Sequence, residues 1–195
     1  MVEQADGRRA RRERNRTAVI DAVFELLGEG RVQPSVEEVA ERAGVSVSSV
    51  FRYFDGLDDL HAETIRRYFE RFAPLFDVPP VPDGPAAARI AAFVDARLEL
   101  YETIAPIARM ARARAASEPT FASTLGDARR RFARQVRDHF APDLALRSAT
   151  DAGDRVALVD ALTSFESWDL LRTAHGHGPR VVRRAWLAGV ERLLT

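Results

Sequence analysis

Apolar residues along the chain recur at intervals of three and four. Val19, Ile20, Val23, Phe24 and Leu27 fall on one face of a helix, and Gly28 with Gly30 punctuates its end, so the pattern predicts a helix from about Arg12 to Leu27. Ser35 followed by Glu38 has the form of a capping box and predicts a second helix from about Val36 to Ala43. Gly44 is placed to end that helix in the left-handed conformation, Val45 to plug the turn, and Ser46 to cap a third helix from about Val47 to Phe54. A fourth start lies at Asp55 or Asp58 and leads through Leu60, Ile65, Tyr68, Phe69 and Phe72.

The stretch DVPPVPDGP, residues 77 to 85, is incompatible with a helix, because proline lacks an amide and restricts its predecessor. It marks a boundary between residues 1–76 and 77–195. Beyond it the pattern predicts helices over about 86–104, 106–116, 119–139, 154–174 and 179–194, opened by Pro85, Pro106, Pro119, Asp154 and Pro179. No alternating strand pattern and no internal repeat is visible. The chain reads as all-α, with about nine helices in two parts.

Composition narrows the classes. The 195 residues are 46% hydrophobic, enough for a real core, and there is no cysteine, which removes disulfide frameworks and thiolate zinc sites. The N-terminus lacks the apolar core of a signal peptide, and no apolar run approaches the roughly 20 residues that span a bilayer, so the expectation is a cytoplasmic protein without a membrane partner. Net charge is zero, 29 basic against 29 acidic residues, which by itself argues against a strongly basic nucleic-acid binder. The distribution changes that picture: RRARRERNR, residues 8 to 16, holds six arginines and one glutamate immediately ahead of the first apolar-periodic segment.

Two short helices joined by a glycine-containing turn form a helix-turn-helix, whose second helix enters the major groove of DNA while the first braces it. In the third predicted helix Val50 and Phe54 share an inward face, whereas Val47, Ser48, Phe51 and Arg52 share another. Arginine can donate bidentately to guanine, serine can bond either kind of base edge, and valine or phenylalanine can touch a thymine methyl. Ser35, Ser49 and Tyr53 stand where hydroxyls or helix-start amides could hold phosphates. Spacing alone leaves open an ordinary helical corner packed against something else.

Order and composition across residues 16 to 60 are more specific. RTAVIDAVFELLGEG, then SVEEVAERAGVSVSSVFRYF, then DGLDDL resembles the N-terminal domain of the TetR family of bacterial transcriptional regulators. The resemblance implies a three-helix DNA-binding head, a homodimer on a near-palindromic double-stranded operator, and a helical C-terminal domain that binds a small-molecule inducer and forms the dimer interface. It favours a repressor and calls for no cofactor. Three positions depart from the family pattern: Ser48 where glycine or another small residue is frequent, Phe51 where tyrosine is usual, and Leu57 where lysine is usual. The last two lose phosphate contacts, a loss that the arginine run could offset by reaching the minor groove as an arm.

In the C-terminal part, Val182, Ala185, Trp186, Gly189, Val190 and Leu193 form a stripe on the last helix, and Val159, Leu162, Phe165 and Trp168 one on the helix before it. Paired across two subunits they would make a four-helix bundle; otherwise they seal the subunit core. Arg97 falls within the stripe Ile90, Phe93, Val94, Leu98 and Tyr101, and must be paired or meet a ligand. One reading is an ion pair with Glu166 or Asp169. The other is an inducer cavity lined by Arg97, Tyr101, Ile107, Met110, Phe121, Glu166, Trp168 and Asp169. A metal-dependent enzyme around His175, His177 and Asp169 is disfavoured, since no HExxH, glycine-rich phosphate loop, GxSxG or cysteine nucleophile accompanies them. A regulator that binds protein rather than DNA is the remaining alternative.

Overall fold

A computed structural model describes residues 2–79 and 84–195, with the side chains of all of these except 2–6, 8 and 120. Part of the proline-rich boundary, 80–83, lies outside the described residues. Among the described residues all regular structure is helical. The ten α-helical segments are α1 (Val2–Gly28), α2 (Val36–Ala43), α3 (Val47–Tyr53), α4 (Leu57–Arg71), α5 (Ala86–Ala115), α6 (Pro119–His139), α7 (Ala141–Leu144), α8 (Ala149–Leu162), α9 (Phe165–Asp169) and α10 (Pro179–Leu194). A 3-10 turn follows α4 at Ala73–Phe76, and a π turn follows α9 at Leu170–Ala174.

Several boundaries differ from those the pattern predicts, each for a local reason. Helix α1 begins ten residues upstream of Arg12, because the segment before it, though without an apolar stripe, contains good helix formers. The arginine run is therefore helical rather than an extended arm. Helix α5 passes through Pro106 without a break. A proline in a helix interior costs about 3 kcal/mol, and the buried side chains of Tyr101, Ile104, Ile107 and Met110 on either side outweigh it. Helix α8 starts at Ser148, whose hydroxyl accepts from the Asp151 amide, rather than at Asp154. It ends at Thr163, which bonds back to the Val159 carbonyl at 2.7 Å, and Ser164 caps a new helix by accepting from Ser167. The single helix expected over 154–174 is thus two helices and a π turn.

The chain packs as two units. The first comprises residues up to Phe72 together with Ala105–Ala122; the second comprises Ala73–Ile104 and Ser123–Thr195. In the first unit α1 packs on α2, α3 and α4. Its core contains Val19, Ile20, Val23, Val39, Val50, Phe54 and Leu60, with Ile107, Met110 and Phe121 from the second stretch. In the second unit α8 packs on α10, whose Val182, Trp186 and Val190 are fully buried. Leu162 reaches so close to Gly189 that an added Cβ would lie 2.6 Å from it. The buried stripe of α10 therefore seals the subunit's own core, while Ala185 and, on α8, Leu158 point outward.

One buried group in the first unit makes the fold sensitive to pH. His61 on α4 is 1% exposed, and neither ring nitrogen has a hydrogen-bond partner. Burial pushes it down from 6.5 to about 4, with Arg114 acting in the same direction and Asp58 against it. Arg114 itself is held by Asp58 and Glu118. Because the folded state holds His61 neutral, its contribution is complete above pH 6.5 and is lost as the pH falls toward 4. We expect the chain to lose about 2 kcal/mol between pH 7 and pH 5 from this group. His61→Leu should flatten that part of the profile in urea titrations at the two pH values. The residual slope would come from His139, which burial also lowers.

Candidate nucleic-acid interface

The turn between α2 and α3 is built from consecutive local bonds. Ser35 accepts from the Glu38 amide at 3.3 Å, and the Glu38 carboxylate accepts from the Ser35 amide at 2.9 Å, closing the capping box. These bonds hold the Glu38 carboxyl below its ordinary range. Gly44 has φ 65° and ψ 33°, the left-handed conformation, and the Val45 amide donates to the Ala40 carbonyl at 3.0 Å. Ser46 then caps α3 by accepting from the Ser49 amide at 3.2 Å. The chain passes from α2 to α3 in three residues, with the end of one helix and the start of the next both capped.

Helix α3 divides as its spacing predicts. Val50 and Phe54 are buried in the core of the first unit, Ser48, Phe51 and Arg52 are exposed, and Val47 and Ser49 are half-buried. Phe51 is 52% exposed, unusual for an aromatic side chain without a partner surface. Ser35 is half-buried and committed to its capping box. Ser46 lies within hydrogen-bond distance of the Ser48 and Ser49 hydroxyls, at 2.9 and 3.0 Å. The α4 start opposite is supplied by Gly56, with φ 124°, rather than by either aspartate, and Asp59 accepts from the Asp55 amide at 3.1 Å.

Tyr53 is buried, and its hydroxyl accepts from Asn15 at 3.1 Å and from Arg52 at 3.3 Å. Those two bonds, with the nearby charges of Arg52 and Arg11, hold its phenol below the ordinary range. Arg12 donates to the Arg52 carbonyl at 3.3 Å. Arg11, Arg12 and Asn15 of α1 thus meet Ser49, Arg52 and Tyr53 of α3 and the Gly44–Val45 turn around a cleft of about 560 Å³. Among the described residues no acidic side chain lines it. The sequence reading missed Asn15 and the position of Arg11 and Arg12. The signal was available, since 11, 12 and 15 share one helical face once α1 is continued upstream. Arg16, by contrast, turns to Glu63 at 3.5 Å and lies over the Phe54 ring.

The residues expected to line a ligand cavity divide between the two units. Ile107, Met110 and Phe121 belong to the core of the first. In the second, Arg97 and Tyr101 are 1% exposed and Trp168 is 2% exposed. Tyr101 meets Phe132, Phe165 and Trp186 edge-on, with ring centroids 5.6–6.3 Å apart. Arg97 does not pair with Glu166. It stacks on the Phe132 ring at 4.0 Å and the Phe93 ring at 5.0 Å and donates to the Phe132 carbonyl at 3.1 Å. Glu166 is exposed and accepts from Arg129 at 2.7 Å, and Asp169 is half-buried. Burial lowers the Arg97 pKa, and the carboxylate that opposes this is Asp160 of α8, itself raised by burial. Asp160 was legible as the one acid inside the run VALVDAL. Trp168 donates its indole N–H to Glu102 at 3.0 Å. The His175 and His177 rings stack 5.6 Å apart, and among the described residues no group of three or more His, Asp or Glu side chains is placed to hold a metal ion.

Removing the Ser46 hydroxyl should uncap α3 without altering any base-facing side chain. Ser46→Ala is expected to cost about 1 kcal/mol in urea unfolding. Gly44→Ala should cost a similar ~1 kcal/mol through backbone conformation alone, since nothing lies within 4 Å of an added Cβ.

Residues 19–64 match the family described as bacterial regulatory proteins, tetR family. No curated protein matches the chain in sequence. Among solved structures, a transcriptional regulator from Rhodococcus sp. Rha1 is similar with a TM-score of 0.67 and 24% identity, over 94% of this chain and 95% of that one. A tetR-family transcriptional regulator from Streptomyces coelicolor gives a TM-score of 0.70 and 20% identity over 93% and 80%. One from Mesorhizobium loti gives 0.62 and 16% over 94% and 96%. No helix among the described residues is long and apolar enough to cross a membrane. The chain carries the N-terminal domain of the tetR family of bacterial regulatory proteins, on an all-α fold shared over nearly its whole length with solved regulators of that kind.

Proposed function

We propose that this regulator is a cytoplasmic homodimer that binds a near-palindromic operator in double-stranded DNA and acts as a repressor released by a small-molecule inducer. Residues 1–76 form the DNA-binding head in this reading, and 77–195 the ligand-binding and dimerising part. The observation that carries it is the division of α3: Val50 and Phe54 anchor the helix, leaving Val47, Ser48, Phe51 and Arg52 on its other side, with Arg52 lining a basic cleft. A helix of seven residues reads few base pairs, so a second half-site about 34 Å away supplies the missing specificity. A second copy would use outward positions such as Leu158 and Ala185, because the α10 stripe is already buried.

Coupling between ligand and DNA has a physical route in this reading. Helix α5 contributes residues 86–104 to the second unit and 105–115 to the first, where Arg114 grips Asp58 at the start of α4. A ligand that prefers one setting of α5 would shift α4, and with it the spacing of two heads, by its differential affinity for the two states. Arg97, Tyr101 and Trp168 are the residues we assign to that ligand's site.

Selection of duplexes from a random pool by the purified protein is expected to recover a near-palindrome whose half-sites lie one helical turn apart. Recovery of no preferred sequence would defeat the DNA-binding reading. Compounds that quench tryptophan fluorescence should also weaken operator binding. If every such compound acts unchanged on Arg97→Ala and Trp168→Phe, the ligand is held elsewhere.

A further inference from the structure

Arg52 is the one residue of α3 able to donate two parallel hydrogen bonds to a guanine, yet its guanidinium is turned away from that task. It donates to the Ser49 hydroxyl at 3.2 Å and to the Tyr53 hydroxyl at 3.3 Å and lies 5.3 Å over the Tyr53 ring. It therefore lines the α1–α3 cleft together with Arg11, Arg12 and Asn15. The neighbouring hollow on the same unit shows the contrast: there Arg42 is bound by Glu25 and Glu29, and Arg31 approaches Glu38. Among the described residues the α1–α3 cleft is lined by three guanidinium groups and no acid. Tyr53 adds a donor to the lining, because its oxygen accepts in both of these hydrogen bonds and neither uses its proton.

We propose that this cleft holds a backbone phosphate of the operator, with Arg52 as a clamp on that phosphate. Bases are then read through thymine methyl groups touched by Phe51 and Val47. The proposal rests on the DNA-binding reading above and deepens it. With Arg52 in the cleft, the outward face of α3 is left with Val47, Ser48 and Phe51. Two of these are apolar, and the methyl of thymine is the apolar feature of the major groove. The Ser48 hydroxyl, 2.9 Å from Ser46, has part of its hydrogen-bonding capacity engaged within the turn. Phosphate contacts position a protein and base contacts specify its site, so the two groups of residues should separate experimentally.

The test uses the full-length protein and its selected operator. Arg52→Gln should weaken binding about ten-fold on every operator variant alike and reduce the salt slope by about 1, leaving the base preference unchanged. In wild type, replacing individual thymines by uracil should weaken binding about four-fold at one or two positions per half-site, the worth of one buried methyl. Phe51→Ala should abolish the difference between thymine and uracil at one of them. Phe51 is half exposed, and an unchanged thermal midpoint would show that the variant folds. The proposal is overturned if Arg52→Gln erases preference at a single G·C pair with the salt slope unchanged, or if uracil is tolerated at every thymine. Failure of the wild-type chain to select any duplex would defeat the DNA-binding reading instead, and the two results cannot be confused.

Discussion

The left-handed residue Gly44, and the bond from the Val45 amide back to Ala40 that it permits, is the constraint on which the head depends. It sets where Ser46 falls, and Ser46 sets where α3 begins and hence which side chains point inward. A shift of one residue would rotate the helix by about 100° and bury Phe51 in place of Val50. The outward face of α3 is thus decided by the turn that precedes it. Burial of Val50 and Phe54 then fixes the orientation that the turn has set.

Charge is distributed by the same economy. Every basic residue of the chain is arginine, and the net charge is zero, but the two signs are not mixed evenly. Arg42, Arg67, Arg89 and Arg183 meet carboxylates of other helices directly, several through two nitrogens, and lock helices to one another, while Arg66 pairs within α4. The buried Arg89–Asp143 fork, for example, ties α5 to the short α7. The arginines around the α1–α3 cleft face a tyrosine, an asparagine and a serine instead. A neutral protein can present a positive surface to a polyanion in this way, because screening confines the field that matters to about 10 Å.

In the second unit the same residue type serves an opposite end. Arg97 is enclosed by Phe93, Phe132 and Tyr101, with one carbonyl contact and an unpartnered Nε. Stacking on aromatic faces stabilises a guanidinium that burial would otherwise expel, and Asp160 supplies partial compensation.

The head was largely legible in the sequence, because its signals are local. A capping box, a left-handed glycine and a serine cap each act within a few residues, and helical spacing then divides inside from outside. Pro106 and Thr163 show where that reasoning stops: a proline that should break a helix does not, and a threonine inside an apolar run does. What overrules the proline is burial on both sides of it, which no local pattern reports. The partners of Arg97, the inward turn of the α10 stripe and the meeting of Asn15 with Tyr53 were beyond the sequence for a related reason. Each joins residues far apart in the chain, 27 positions for Leu162 and Gly189, 35 for Arg97 and Phe132, and 38 for Asn15 and Tyr53, and only the packing of helices against one another determines which of many possible charges and aromatic faces come within reach.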